Sequence, residues 1–357
     1  MSVLATPDEG IQPQAVLGAN GEIHVVYFKG DPSGGDLYYA RLTVRGDSSN
    51  VNGPPVRINS IAGSALAAGS VRGAQVALGR NGIVHVAWHG SKPLDGSGSP
   101  HPPVWYARST DGSHFDDQRS LSGAISGIDG STVAADRSGR VSVAWHGLGQ
   151  QPGEDHRTVY LASSTNDGAS FAAAVPATSV ATGACGCCGL KALFDRDGTL
   201  NLLYRAATGG NHRDATWLAI RDGVARAPVR VHPWELEACP MSTFALADAG
   251  SDVAAAWETA QQIYSATLDP STGSVRNLAA VPDTGLRKHP SIAVNAAGDR
   301  LLAWTEGTAW KRGGTFAWRI TNRAGTELAH DADAGPVPVW GLVSVVAMPD
   351  RSFVIFR

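Results

Sequence analysis

All four cysteines of the chain fall in two short stretches, Cys185-Gly186-Cys187-Cys188 and Cys239-Pro240-Met241. Two histidines, His89 and His146, hold the same place in a repeated Ala-Trp-His-Gly string. Thiolates with imidazole, and Met241 and His289 in reserve, are soft or borderline donors. Such a set selects copper and, less distinctively, zinc. The spacing is not the paired C-x2-C of a structural zinc ribbon. Two other chemistries compete for the same residues. A disulfide would staple the two stretches; adjacent Cys187 and Cys188 pair poorly with each other, so Cys239 with one member of the run is the expected bridge. A thiol beside Arg205, Arg213 or His146 would instead be a reactive thiolate. Each chemistry requires elements that bring the two stretches together.

Composition narrows those elements. Glycine (42) and proline (20) are abundant among 357 residues, while charged residues reach only 17%. This excludes a long-helix or coiled-coil protein and a highly charged disordered chain. A hydrophobic fraction of 43% allows a large core. The formal charge is −3 and no Lys/Arg run occurs, so nucleic acid is not an expected partner. No stretch of 18 apolar residues exists, and the start lacks a basic segment followed by an apolar one. No membrane insertion is expected, and the compartment is cytosolic or that of a mature periplasmic or exported domain.

Self-similarity is plain along the chain. The segments QAVLGANGEIHVVYF, QVALGRNGIVHVAWH, TVAADRSGRVSVAWH, KALFDRDGTLNLLYR, TFALADAGSDVAAAWE, SIAVNAAGDRLLAWT and VSVVAMPDRSFVIFR align on a central turn. Gly21, Gly82, Gly139, Gly198, Gly250, Gly298 and, degenerately, Asp350 occupy that turn. Each unit reads as an apolar strand, a tight turn permitting positive φ, and a strand alternating with period two. Most units add an aromatic-rich third strand, such as DLYYARLTV or VWYARSTD, and a short fourth such as PVRIN or PVRV. Repeated four-stranded antiparallel units describe an all-β propeller. Units start near 13, 74, 131, 190, 242, 290 and 341, which makes residues 1–357 one domain. Seven blades are favoured, with residues 1–10 helping to close the last; six blades plus a terminal extension is the alternative.

In such a ring the loops entering first strands and leaving second strands gather on one face around the axis. Six residues after the turn an aromatic recurs: Tyr27, Trp88, Trp145, Tyr204, Trp304 and Phe356, with Trp257 after a one-residue shift. That uniformity indicates packing. The next residue varies, as Phe28, His89, His146, Arg205, Glu258, Thr305 and Arg357, and packing does not require so many polar groups. His24 and His85, inside their strands, read as satisfied core histidines. The entering loops contribute Gln12, Arg72, Asp129, the cysteine run, Cys239-Pro240-Met241 and Arg287-Lys288-His289. Every cysteine thus belongs to two neighbouring rim loops.

Two third strands run into turns that carry a resemblance. Ser164-Thr165-Asn166-Asp167-Gly168-Ala169-Ser170-Phe171 resembles the Asp-box of sialidase-like propellers, S-x-D-x-G-x-(T/S)-(F/W), with Asn166 at the Asp position. Ser109 to Phe115 looks like the same box one residue short. The box caps a turn and buries an aromatic; it carries no chemistry. A sialidase would imply an arginine triad, a Tyr nucleophile assisted by a Glu, an acid/base Asp and an early Phe/Tyr-Arg-Ile-Pro motif. That motif is absent, although Arg72, Arg205, Arg287, Tyr204, Glu258, Glu306 and Asp129 are at hand. Residues 183 to 241 also resemble a group of bacterial Asp-box proteins with a Cys-x-Cys-Cys motif, a Tyr-Arg strand end, an Arg-Asp pair and a Trp-containing loop closing in Cys-Pro. The group's usual proline and arginine stand here as Gly186 and Gly189, which implies room near the thiols.

The residues taken together lead to a propeller with a soft-metal site, copper before zinc, at the mouth of the channel. Its expected ligands are Cys187, Cys188, Cys239, His89 and His146, then Cys185, Met241 and His289. Copper binding, or oxidation of a small molecule or peptide in a pocket shaped by Arg205, Glu258, Tyr204 and Trp234, is the expected function. An exo-glycosidase using Tyr204, Glu258 and Asp129, and a non-catalytic platform for carbohydrate or protein, are the alternatives.

Overall fold

The computed structural model describes residues 1–46, 48–69, 73–91, 102–149 and 151–357; Arg72 lies outside them. Seven sheets follow one another along the chain. Alternation with one tight turn per unit builds the two inner strands of each, and six of the seven turn positions are glycines with φ between 78° and 95°. The seventh turn takes its positive φ at Arg351 instead. Blade 4, the first to matter below, runs Lys191–Phe194, Leu200–Arg205 and Ala215–Arg221 outward from the axis, and two short segments, Val224–Ala225 and Val229–His232, share its outer edge.

The core is divided among the seams between blades. Among the described residues, seven apolar clusters are each made from two neighbouring blades, and a small eighth gathers Cys185, Cys187, Cys188 and Ala207. All seven recurring aromatics are buried, in agreement with their packing role. The two box-like turns share one hydrogen-bond pattern: the Ser109 and Ser164 hydroxyls accept from the amides of Gly112 and Gly168, at 2.9 and 3.0 Å. Phe115 and Phe171 then pack edge-on against Tyr39 and Tyr106 of the preceding blade.

Blade 7 has three strands among the described residues. Ser344–Ala347 and Phe353–Phe356 come from the end of the chain, and Ser2–Leu4 pairs in parallel with the latter. The direction has a simple cause. The innermost strand of blade 1, Ile11–Leu17, begins at the upper rim, so the chain must rise through blade 7 to reach it. Leu4 joins the apolar cluster of the last seam, and Arg357 is tied to this strand end by two backbone bonds, Thr6 N–H to Arg357 O at 2.8 Å and Arg357 N–H to Leu4 O at 3.1 Å.

Candidate functional site

The cysteine run forms one tight turn at the upper rim of blade 4. The Cys188 amide donates to the Cys185 carbonyl at 3.2 Å, which closes the turn. The turn is pinned on both sides, by Cys185 N–H to Arg205 O and Gly189 N–H to Ser242 O, each 2.9 Å. This curvature turns the side chains of Cys185 and Cys188 to the same side. Their sulfurs share a hydrogen bond at 3.2 Å, and Cys185 Sγ lies 3.3 Å from Cys187 Sγ. The three sulfurs all sit within 4.8 Å of one another. Cys187 is joined to Cys239 by a disulfide across 52 residues, with 6.2 Å between the α-carbons, while Cys185 and Cys188 are free and buried.

The two free thiols are driven apart in acidity. Their mutual hydrogen bond and then burial raise Cys185. Burial opposes ionisation of Cys188 as well, yet the Cys185 bond, the Arg205 charge and Ser242 together outweigh it and lower that thiol. Ser242 was not legible from spacing: its hydroxyl is 3.5 Å from Cys188 Sγ and accepts from Arg205 Nε and Nη2 at 3.2 and 3.0 Å. The room implied at Gly186 and Gly189 is not there. A Cβ on Gly186 would meet the Arg157 guanidinium at 2.6 Å, and one on Gly189 would meet Thr243 at 3.3 Å.

Of the polar residues one past each aromatic, His89, His146, Arg205, Glu258 and Thr305 are buried rather than displayed, and Arg357 is exposed. His89 Nε2 lies 3.0 Å from Ile128 O. Arg205, fully buried, lies over Trp234 at 4.9 Å and Phe244 at 5.2 Å. Tyr204 is buried too, its hydroxyl 2.9 Å from Thr182 Oγ1, and burial raises it to about 12. Glu258 is buried with Oε2 lacking a hydrogen-bond partner while Oε1 accepts the Gln261 amide at 2.7 Å. Burial raises its pKa against the pull of that amide, Arg205 and Lys288. Asp129 is paired with Arg157 at 3.5 Å.

Among the described residues, no histidine joins the sulfur group. Among the described residues, the cluster of metal-ligating side chains consists of Cys185, Cys187 and Cys188. His146 is enclosed between blade 3 and the loop of blade 4, where neither ring nitrogen has a hydrogen-bond partner. Met241 and His289 line a separate small cavity with Lys288, Trp310 and Trp340. Repeat equivalence fixed the depth of these side chains but not their direction.

Buried neutral histidines make stability sensitive to mild acid. Burial, aided by Arg157, lowers His146 to about 3; burial, aided by Lys288, lowers His289 to about 3; burial, with Arg108, lowers His85 to about 4. Above pH 6.5 these groups are neutral in both states and cost nothing. Below it the unfolded chain takes up protons that the folded chain refuses, so stability falls as pH drops, each group adding a slope of up to about 1.4 kcal/mol per pH unit. Denaturant titrations between pH 7 and 4 should show this decline, and His146→Met should flatten it. An equal slope in that variant would show that His146 does not titrate as a buried neutral group.

No protein-family model matches the chain, and no curated protein matches it. Solved structures do resemble it in fold. A Hadza microbial sialidase superposes with a TM-score of 0.53 at 14% identity, covering 90% of this chain and 73% of its own. An α-L-arabinanase of Penicillium chrysogenum, solved with arabinobiose, gives 0.53 at 12% over 90% and 96%. An α-L-arabinofuranosidase of Fusarium graminearum, solved with an iminosugar inhibitor, gives 0.54 at 10% over 90% and 95%. At such identities the likeness concerns architecture and not chemistry. The chain is a seven-bladed propeller of the sialidase-like fold, with a cysteine cluster on its upper rim.

Proposed function

We propose that the sulfur cluster is a soft-metal centre with copper as its metal, and that the protein is a copper-binding propeller or a copper-dependent oxidoreductase acting on a small molecule or peptide. The observation that carries this reading is the meeting of three cysteine sulfurs within 4.8 Å. Thiolates match Cu(I) by softness, with zinc second. With the disulfide formed, Cys185 and Cys188 are the available donors; its reduction adds Cys187 and Cys239. A metal requires deprotonated thiols, and the Arg205 charge favours that form at Cys188. When bound, copper would supply one-electron chemistry, while Arg205 and Ser242 hold the ligand turn in place.

Anaerobic, reduced protein titrated with Cu(I) against a chromophoric competitor tests this. About one copper per chain should survive gel filtration, and Cys188→Ser should weaken binding at least roughly tenfold. Reduced protein with titratable thiols that retains neither copper nor zinc would end the metal reading.

A second reading, glycoside hydrolysis, is favoured by Glu258. A buried carboxyl with a raised pKa and an unpartnered oxygen has the profile of a general acid, and the superposed sialidase, arabinanase and arabinofuranosidase act on sugars. The same preparations, assayed on aryl sialosides and arabinofuranosides, separate the two readings. Turnover that survives Cys188→Ser and is lost in Glu258→Gln would favour the hydrolase.

A further inference from the structure

The axial channel encloses a cavity of about 460 Å³ lined by the innermost strands of all seven blades. Its surface is more polar than apolar, and four of its polar side chains form one layer. Gln14, Gln75, Lys191 and Ser291 each pair with the residue before the recurring aromatic of their own blade. They therefore stand at one depth around the axis.

Lys191 dominates this layer. Its ammonium crosses from blade 4 to blade 2, passing blade 3, and donates to Gln75 Oε1 at 2.7 Å. That bond uses one of three donors. The other charged lining residue, Asp248, is already bonded to Arg196 at 2.9 Å, and His289 is held neutral by burial. Among the described lining residues, no carboxylate is hydrogen-bonded or ion-paired to the lysine. Burial lowers the ammonium to about 8, so at neutral pH the cavity keeps a positive charge.

A second observation points to a ligand. Ser131, on the intervening blade, lines the same cavity, is 4% exposed, and its hydroxyl has no hydrogen-bond partner. Across the channel Ser291 and Ser344 accept from the backbone amides of Val345 and Ala15, at 3.2 and 3.0 Å. Each of those hydroxyls keeps its proton to donate inward. One unbalanced ammonium with several hydroxyl donors is the complement of an oxyanion.

We propose that the channel binds a small oxyanion, a carboxylate or an inorganic phosphate, between Lys191 Nζ and Ser131 Oγ. The site is independent of the cysteines. It gives the channel a preference for acidic small molecules entering from the rim.

The probes are sodium acetate and sodium phosphate, each compared with sodium chloride at matched ionic strength. Calorimetric titration of the wild type should give saturable binding with a Kd of about 1 mM or tighter for at least one of them. The unfolding temperature should rise with that anion and not with chloride. Which of the two binds distinguishes an organic acid from phosphate as the source. Lys191→Met should weaken binding at least about tenfold, and Ser131→Ala should weaken it less. Lys191→Gln serves if the methionine variant does not fold. A wild type that distinguishes neither anion from chloride, or a neutral variant that binds as tightly, would overturn the proposal and leave Lys191 as a strut between blades 2 and 4.

Discussion

Replacing Arg205 by methionine should cost about 3 kcal/mol or more of folding stability, since each buried acceptor left without its partner costs about 1–3 kcal/mol. The guanidinium is fully buried and each of its nitrogens is engaged. Nε and Nη2 donate to Ser242, Nη1 donates to Arg213 O at 2.8 Å, and Nη2 also donates to the Glu258 carbonyl. Methionine would fill much of the volume but strand these acceptors under Trp234. A second readout separates electrostatics from packing. The Arg205 charge helps to lower the Cys188 thiol, so alkylation of Cys188 should shift to higher pH in Arg205→Met. Arg205→Lys should keep much of that thiol acidity while losing the fork that serves several acceptors at once. Denaturant unfolding of Arg205→Met within 1 kcal/mol of wild type would show that the network is not what holds the rim.

Removal of residues 1–5 should be comparably damaging. It deletes the third strand of blade 7, whose three residues pair with Val354, Ile355 and Phe356. Burial of Leu4 contributes about 1.5–3 kcal/mol, and each ladder hydrogen bond about 0.5–1.5 kcal/mol. Deletion also leaves Phe353–Phe356 as an exposed apolar edge, a template for aggregation. Thermal unfolding followed by light scattering should show an earlier and less reversible transition. Leu4→Ala, which keeps the backbone pairing, should lie between wild type and the truncation. A truncated chain melting with the wild type would mean that the ring closes without its first strand.

The repeat was legible because the same physical demand recurs in every unit: a residue tolerating positive φ between two strands, then an aromatic at a fixed distance. That arithmetic located seven units, and from them the rim. It placed all four cysteines in adjacent loops, where the structure has them. The parallel direction of Ser2–Leu4 follows only from the ring's topology, since three residues carry no sign of direction themselves. The polar ring misled for a related reason. Strand register sets how far along the axis His89, His146 and Arg205 stand, but the covering loops decide whether they face water, and loop paths leave no periodic trace. Ser242 and Lys191 show the two limits. Nothing in its neighbourhood marks Ser242 as a partner of Cys188. Lys191 did leave a signal, a lone cation at the repeat position held elsewhere by Gln14, Gln75 and Ser291, visible only when first strands are compared residue by residue.

The Cys187–Cys239 bond encloses one whole blade. Among the described residues the other seams are held by packing, hydrogen bonds and ion pairs such as Arg80–Asp167, whereas blade 4 is a covalent circle set within a larger, non-covalent one. A break in the peptide chain anywhere between residues 188 and 238 would leave both fragments attached through sulfur. The same circle ties the loop that enters blade 4 to the loop that leaves it, beside the two free thiols. While the bond is intact, the rim ends of blades 4 and 5 cannot part at the loops that carry the sulfur cluster.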